Sequence, residues 1–211
     1  MSAMKLHYAP HTCALASHIV LEEVGADYEI NRIDFSIAEE NSPEYLAMNP
    51  KGRVPLLETA QGYLTETPAI LVYLAQCYPQ AKLAPLDDAF AFAELQSFNS
   101  YLCSTVHVAH AHRLRGNRWA DDPGAIIAMQ EKVPASVLAG FLYVEDNYLR
   151  GPWVMGDQYS IADPYLFTLA QWLEADGVDL QPLPRVIDHR SRMLQRETVQ
   201  TAISAELSPS A

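Results

Sequence analysis

Apolar and polar positions change their period along this chain, and each change marks an element. Lys5 to Tyr8 is a short extended run closed by Ala9-Pro10. Ala14 to Glu23 then places Ala14, Leu15, Ile19, Val20 and Leu21 largely at helical spacing, so the opening predicts a strand followed by a helix. Gly25 ends that helix, and a loose alternation from Tyr28 to Ile33 predicts a second strand, completing a βαβ unit. Pro43, at a first helical position where its missing N–H costs nothing, opens a short helix through Leu46. Val54 to Glu58 and Gly62 to Leu64 read as two short strands around a turn near Ala60-Gln61-Gly62, close enough for an antiparallel hairpin. Thr65-Glu66-Thr67-Pro68 then opens a helix running to about Tyr78.

A parallel pair needs a crossover and a hairpin does not, so the order β-α-β-α-β-β-α predicts a four-stranded mixed sheet with helices on its faces. That is a thioredoxin-like order. After Pro79 to Pro85 the character changes, with long helical periodicity from Asp87 to about Arg115 and from Pro123 to about Leu149 and no convincing strand. The expected fold class is therefore α/β plus all-α, with a thioredoxin-like domain over residues 1–82 and an all-helical domain over 88–211.

Length and composition narrow the function. The 211 residues carry 14 Lys+Arg against 26 Asp+Glu, a formal charge of −12, and the acid excess holds on both sides of the boundary. Such a field repels nucleic acids and anionic membranes, so neither is an expected partner. Hydrophobic residues make up 49% and charged residues 19%, a globular balance. No run of about 18 apolar residues occurs, and the first residues lack the basic-then-apolar pattern of a signal peptide, which predicts a cytoplasmic protein. Cys13, Cys77 and Cys103 are odd in number and form no CxxC, so each is read as a thiol and Cys77 and Cys103 as packing residues.

Candidate chemistry gathers in two places. Cys13 falls at the start of the first helix, where unsatisfied N–H groups and the helix dipole favour a thiolate; the residue type fits a nucleophile or a small packing residue equally. Val54-Pro55 stands before a strand, where a cis bond would turn the N–H and C=O of Val54 outward toward a peptide and a trans bond would merely start an edge strand. Glu66-Thr67 at a helix start offers a carboxylate site and an acid for an amine, or plain capping. In the helical part, His107, His110 and His112 with Arg113, Arg115 and Arg118 form the one acid-free cationic stretch. It admits a metal site, which its spacing and lack of a nearby acid disfavour, a substrate site lined by His110 and Arg113, or arginines paired at an interface or solvated. Ser160 to Asp163 fits a capping box with Asp163 reaching back to an orphan N–H.

The stretches Met4 to Tyr8, Cys13 to His18, Asn49 to Pro55, Leu64 to Thr67 and Gly156 to Asp163 together resemble the cytosolic glutathione transferases, and among these the bacterial beta class. The resemblance covers nearly the whole chain. It implies that glutathione is the co-substrate, with no metal, and that Cys13 faces its sulfur. Val54, before a cis Pro55, would pair with its cysteinyl backbone, while Glu66 and Thr67 would hold its γ-glutamyl end, Thr67 standing where the family usually has serine. The segment between Asp34 and Pro43 lacks the lysine that can meet the glycyl carboxylate, leaving Arg53 or Lys51 to substitute. His107 stands where the beta class carries a histidine close to the active cysteine, and Ser100, beside Asn99, falls near an asparagine that can reach glutathione in the other subunit. The implied protein is a homodimeric, detoxifying transferase joining glutathione to small, mostly apolar electrophiles. Thiol–disulfide exchange, peroxide reduction, dehalogenation or isomerisation through Cys13, and a ligand carrier on the same fold, are the alternatives.

Overall fold

A computed structural model describes residues 4–149 and 151–208. Two compact units divide the chain, the first running to Ala89 and resuming at Leu194, the second running from Phe90 to Met193.

The first unit is built on strands β1 (Met4–Tyr8), β2 (Tyr28–Arg32), β3 (Leu56–Thr59) and β4 (Gly62–Thr65). Their order across the sheet is β2-β1-β3-β4. β1 pairs parallel with β2, Leu6 opposite Ile30, and antiparallel with β3, Leu6 opposite Leu57. The β3–β4 hairpin closes at Thr59, whose hydroxyl donates to the Gly62 carbonyl and accepts from the Gln61 N–H. Helices α1 (Ala14–Glu23), α2 (Pro43–Met48) and α3 (Thr67–Cys77) occupy the connections, as the periodicity requires. Ser42 caps α2 by accepting from the Tyr45 N–H at 3.1 Å, ahead of Pro43. Leu6, Ile19, Leu21, Leu56, Leu57, Ile70, Leu71 and Leu74 are fully buried and form the core.

The all-helical stretch expected from residue 88 to the end is divided. Its last helix, α9 (Glu197–Leu207; α4 to α8 are introduced below), belongs to the first unit and packs on α1. Arg196 makes two 2.8 Å bonds to the Glu23 carboxylate, and Thr198 donates to it at 2.6 Å. Nearer its far end, Glu206 Oε1 lies 3.1 Å from His18 Nδ1, while His18 Nε2 lies 3.0 Å from the Tyr28 hydroxyl, which donates to Glu22. A helical period alone cannot say which core a helix joins; these polar ties do.

The second unit contains α4 (Ala89–Tyr101, whose first residue lies in the first unit), α5 (His107–Arg115), α6 (Pro123–Asn147), α7 (Ala162–Ala170) and α8 (Pro184–Leu194, whose last residue lies in the first unit). The single helix expected from 87 to 115 is interrupted by a π-helical stretch, Leu102–Val106. Gly140 of α6 faces that stretch so closely that a Cβ there would stand 3.1 Å from Val106 Cγ2. α6 is long and apolar enough to cross a membrane by length and composition, yet its last turn has a core role. Buried Glu145 accepts the first N–H groups of α8, from Arg185 and Val186, at 2.9 Å each.

The capping box forms as expected. Asp163 Oδ2 accepts from the Ser160 N–H at 2.8 Å, and the Ser160 hydroxyl accepts from the Ala162 N–H. Asp163 Oδ1 also takes the Val154 N–H at 2.8 Å and lies 3.0 Å from His189 Nε2. Tyr165, Leu166, Leu169, Trp172 and Leu173 are buried, so the motif fixes the centre of this core.

Candidate active site

The loop from Ala9 to Thr12 delivers Cys13 to the mouth of α1. His11 holds φ at +62°, and the Thr12 hydroxyl donates to the Ala9 carbonyl at 2.7 Å and accepts the Ala14 N–H at 3.3 Å. Thr12 thus satisfies an orphan donor at this helix end, and Cys13 stands at the N-cap, 9% exposed.

Val54-Pro55 is a cis peptide. The segment before it is fixed from below. The Arg53 carbonyl accepts from the Tyr45 hydroxyl at 2.7 Å and from Asn49 Nδ2 at 2.6 Å, while Asn49 Oδ1 accepts the Lys51 N–H. Gly52 holds φ at +58° where a Cβ would stand 3.1 Å from both Asn41 Oδ1 and the Glu40 carbonyl, so glycine is required there on two counts. Burial pushes the Tyr45 phenol up to about 12, which keeps it a donor at every ordinary pH. So held, Val54 presents its carbonyl to Cys13, whose Sγ donates to it at 3.6 Å.

Glu66 opens α3 with φ at +72°, its carbonyl accepting the Ile70 N–H, and Thr67 behind it is buried. A non-glycine residue held in such a conformation costs about 1–3 kcal/mol, and such outliers gather at ligand sites. Lys51, offered with Arg53 for the glycyl carboxylate, lies against Glu66, its Nζ 2.5 Å from Glu66 Oε1 and from Thr65 Oγ1. Arg53 is exposed. A groove of about 260 Å³ runs between Ala9–His11 and residues 32–36. His11, from the loop after β1, and Arg32, from the end of β2, escape a sequence reading because they stand 21 positions apart in different elements; Asp34 also lines it, its carboxyl held below the ordinary range by the hydroxyl and N–H of Ser36.

The remaining candidates lie in the second unit. Ser100 is exposed on α4, whereas neighbouring Asn99 is wholly buried with its amide unpartnered among the described residues. His107 and His110 both meet Trp172, with ring centroids 5.2 Å and 4.1 Å away, the second stacked at 23°. The cationic stretch has its acid after all, 66 residues distant: Asp176, with a side chain 1% exposed, lies 2.7 Å from His110 Nδ1 and 3.3 Å from Arg113 Nε. His110 and Arg113 thus share one buried carboxylate in their own unit. Among the described residues no group of three His, Cys, Asp or Glu side chains is placed to hold a metal. Cys77 and Cys103 are half-buried thiols.

Residues 1–76 match the family model for the glutathione S-transferase N-terminal domain. Glutathione S-transferase GstA of Escherichia coli O157:H7 is 34% identical over 206 residues, covering 96% of this chain and 98% of that protein. A glutathione transferase homolog from Sulfitobacter, solved with bound glutathione, superposes with a TM-score of 0.94 at 41% identity, covering 99% of this chain and 100% of that one. The beta class glutathione S-transferase of Sphingomonas chungbukensis superposes with a TM-score of 0.84 at 32% identity, covering 96% and 98%. With such identity along nearly the full length of both chains, and with a mixed four-stranded sheet carrying a thiol, a cis proline and a helix-opening glutamate, this chain belongs to the glutathione S-transferase family.

Proposed function

We propose that the chain joins the thiol of glutathione to small apolar electrophiles, with glutathione laid across the first unit. Its cysteinyl backbone pairs with the N–H and C=O of Val54, its γ-glutamyl end lies at Glu66 and Thr67, and its sulfur faces Cys13. The observation that carries this reading is the Val54 carbonyl 3.6 Å from Cys13 Sγ. A backbone group able to pair with a peptide and a thiol then share one place, and a tripeptide thiol uses both. The glycyl carboxylate falls to Arg53 or Lys51, with His11 and Arg32 of the groove as further candidates.

The glutathione thiolate is the nucleophile. Its proton passes to water, and with 1-chloro-2,4-dinitrobenzene the thiolate forms the new carbon–sulfur bond as the carbon–chlorine bond breaks and chloride leaves; the N–H groups at the mouth of α1 favour the charged sulfur. Fixing the tripeptide at several points supplies orientation. The electrophile is assigned to the second unit, where His107, His110 and Trp172 form an aromatic ledge. Membership of the beta class is supported by Cys13 and by the Sphingomonas likeness. A homodimer is supported by exposed apolar side chains of the second unit, Phe90 on α4 at 75% and Ile127 and Tyr143 on α6; exposed Ser100 is the residue offered to a partner's glutathione. A cytoplasmic, detoxifying role accords with three cysteines kept as thiols. Saturable glutathione binding with turnover of 1-chloro-2,4-dinitrobenzene, and sedimentation as a dimer at micromolar concentration, are the expected results. Binding without turnover across a broad panel of electrophiles would leave a ligand carrier.

Monothiol exchange is the second reading, favoured by the placing of Cys13 as a solitary thiol at this site. Its thiolate attacks a glutathionylated disulfide, the substrate thiolate leaves, and a second glutathione releases the mixed disulfide. Intact mass after incubation with oxidised glutathione separates the two readings. An adduct confined to Cys13, absent from Cys13→Ser, supports exchange; no adduct despite glutathione binding favours conjugation alone.

A further inference from the structure

His110 is held at one ring nitrogen and open at the other. Its Nδ1 lies 2.7 Å from Asp176 Oδ2 and 2.9 Å from Oδ1, on a side chain that is 1% exposed. An ionised carboxylate only accepts, so Nδ1 carries a proton in the neutral and the charged ring alike, and Nε2 is the nitrogen that gains or loses one. Nε2 has no hydrogen-bond partner among the described residues and is open to solvent, on a side chain 18% exposed. The turn after α7 sets this up. The Asp176 N–H donates to the Trp172 carbonyl at 2.9 Å, so carboxylate and indole rise from one turn, and Arg113 donates to the Ala175 carbonyl within it. The indole stacks on the imidazole, centroids 4.1 Å apart. An imidazolium fits these neighbours, with its Nδ1–H on an anion, its face on an indole and its Nε2–H left for a ligand. The other titratable groups at the ring are Arg113, also on Asp176 at 3.3 Å, and His107, with centroids 6.4 Å apart; from α6, which packs along α5, neutral Gln130 donates to the Arg113 carbonyl.

We propose that His110 is a catalytic acid that gives its Nε2 proton to the electrophile, with Asp176 as its positioning residue, and that the chain is thereby suited to oxiranes. Attack of the glutathione thiolate on a ring carbon forms the carbon–sulfur bond and breaks a carbon–oxygen bond, whose electron pair ends on oxygen. An alkoxide is a poor leaving group. A proton delivered from Nε2 as the bond breaks gives the neutral alcohol instead, and the imidazole left behind recovers its proton from water. An aryl chloride has no such need, because chloride leaves as a stable anion. The pair thus favours electrophiles that keep a developing oxyanion over those that expel a halide. This inference rests on the conjugation reading above and deepens it by naming a class of electrophile.

The test measures kcat/KM of the full chain at saturating glutathione for styrene oxide and for 1-chloro-2,4-dinitrobenzene, from about pH 5.5 to 8.5. Both reactions use the same thiolate, so its ionisation cancels in their ratio. In the wild type the ratio of oxirane to aryl chloride is expected to fall about tenfold or more as pH rises and the donor loses its proton. His110→Gln is expected to lower the ratio about a hundredfold at the acid end and to leave it flat with pH. Asp176→Asn keeps the slope and moves it to lower pH, a change that a merely structural aspartate would not produce. A ratio independent of pH in the wild type, a reading that needs no variant to fold, overturns the assignment. So does a ratio that rises with pH, the mark of a base, or turnover of the aryl chloride with none of the oxirane. Turnover of neither electrophile overturns the conjugation reading itself, and this inference with it.

Discussion

Cys13 Sγ donates to the carbonyl of Val54 at 3.6 Å, joining two residues that stand 41 apart in sequence. The thiol comes from the mouth of a helix and the carbonyl from a loop locked by Tyr45 and Asn49. Their meeting places the thiol against the backbone edge to which the proposed function assigns the cysteinyl part of glutathione. On this account Cys13→Ala lowers kcat/KM for conjugation by about tenfold, or ~1.4 kcal/mol of transition-state stabilisation. Steady-state kinetics with a standard electrophile check this; an unchanged kcat/KM would remove Cys13 from that reaction.

Glu66→Gln keeps the shape of the site and removes its negative charge. The expected consequence is a rise of roughly 10-fold or more in KM for glutathione with a smaller change in kcat, since a hydrogen bond to a charged group is worth about 1.5–3 kcal/mol. Thr67→Ser retains the hydroxyl and should leave KM within about twofold, whereas Thr67→Ala should raise it.

Asp163 serves four groups at once: the N–H of Val154, the N–H and hydroxyl of Ser160, and His189. Asp163→Ala strands buried partners, a loss of about 3 kcal/mol or more. Thermal unfolding should fall by roughly 6–12 °C, at about 2–4 °C per kcal/mol for a chain of this size. Glutathione KM in the variant that remains folded should change little, because Asp163 anchors the core and not the ligand.

Burial is the largest influence on Glu206 and raises its carboxyl above the ordinary 4.5, against the opposing pull of His18. A raised carboxyl stabilises the fold in full below pH 4.5, and the contribution is lost as pH climbs through the higher folded value. Glu206→Gln cannot ionise and lacks this dependence. Urea unfolding of both proteins from pH 4 to 8 should therefore show the wild type losing stability relative to the variant as pH rises; parallel curves would show that Glu206 ionises equally easily in the folded and unfolded chains.

Much of the fold was legible along the chain. The start and end of α1, the Pro43 helix, the hairpin and the capping box are local events, set by side-chain period, proline and short capping bonds, and they stand where those features place them. The interruption at Leu102–Val106 was not legible, because it answers to close packing against Gly140 on another helix. Of the candidate site, the sequence by itself marked Cys13, Val54-Pro55 and Glu66-Thr67, each at an element boundary. Only the tertiary structure decided their partners. Lys51 goes to Glu66, His110 and Arg113 go to a buried Asp176, and the last helix joins the first unit through His18 and Glu23. Local periodicity fixes how a segment coils and which face is apolar; the pairing of charges across tens of residues depends on distances that exist only once the chain has closed on itself.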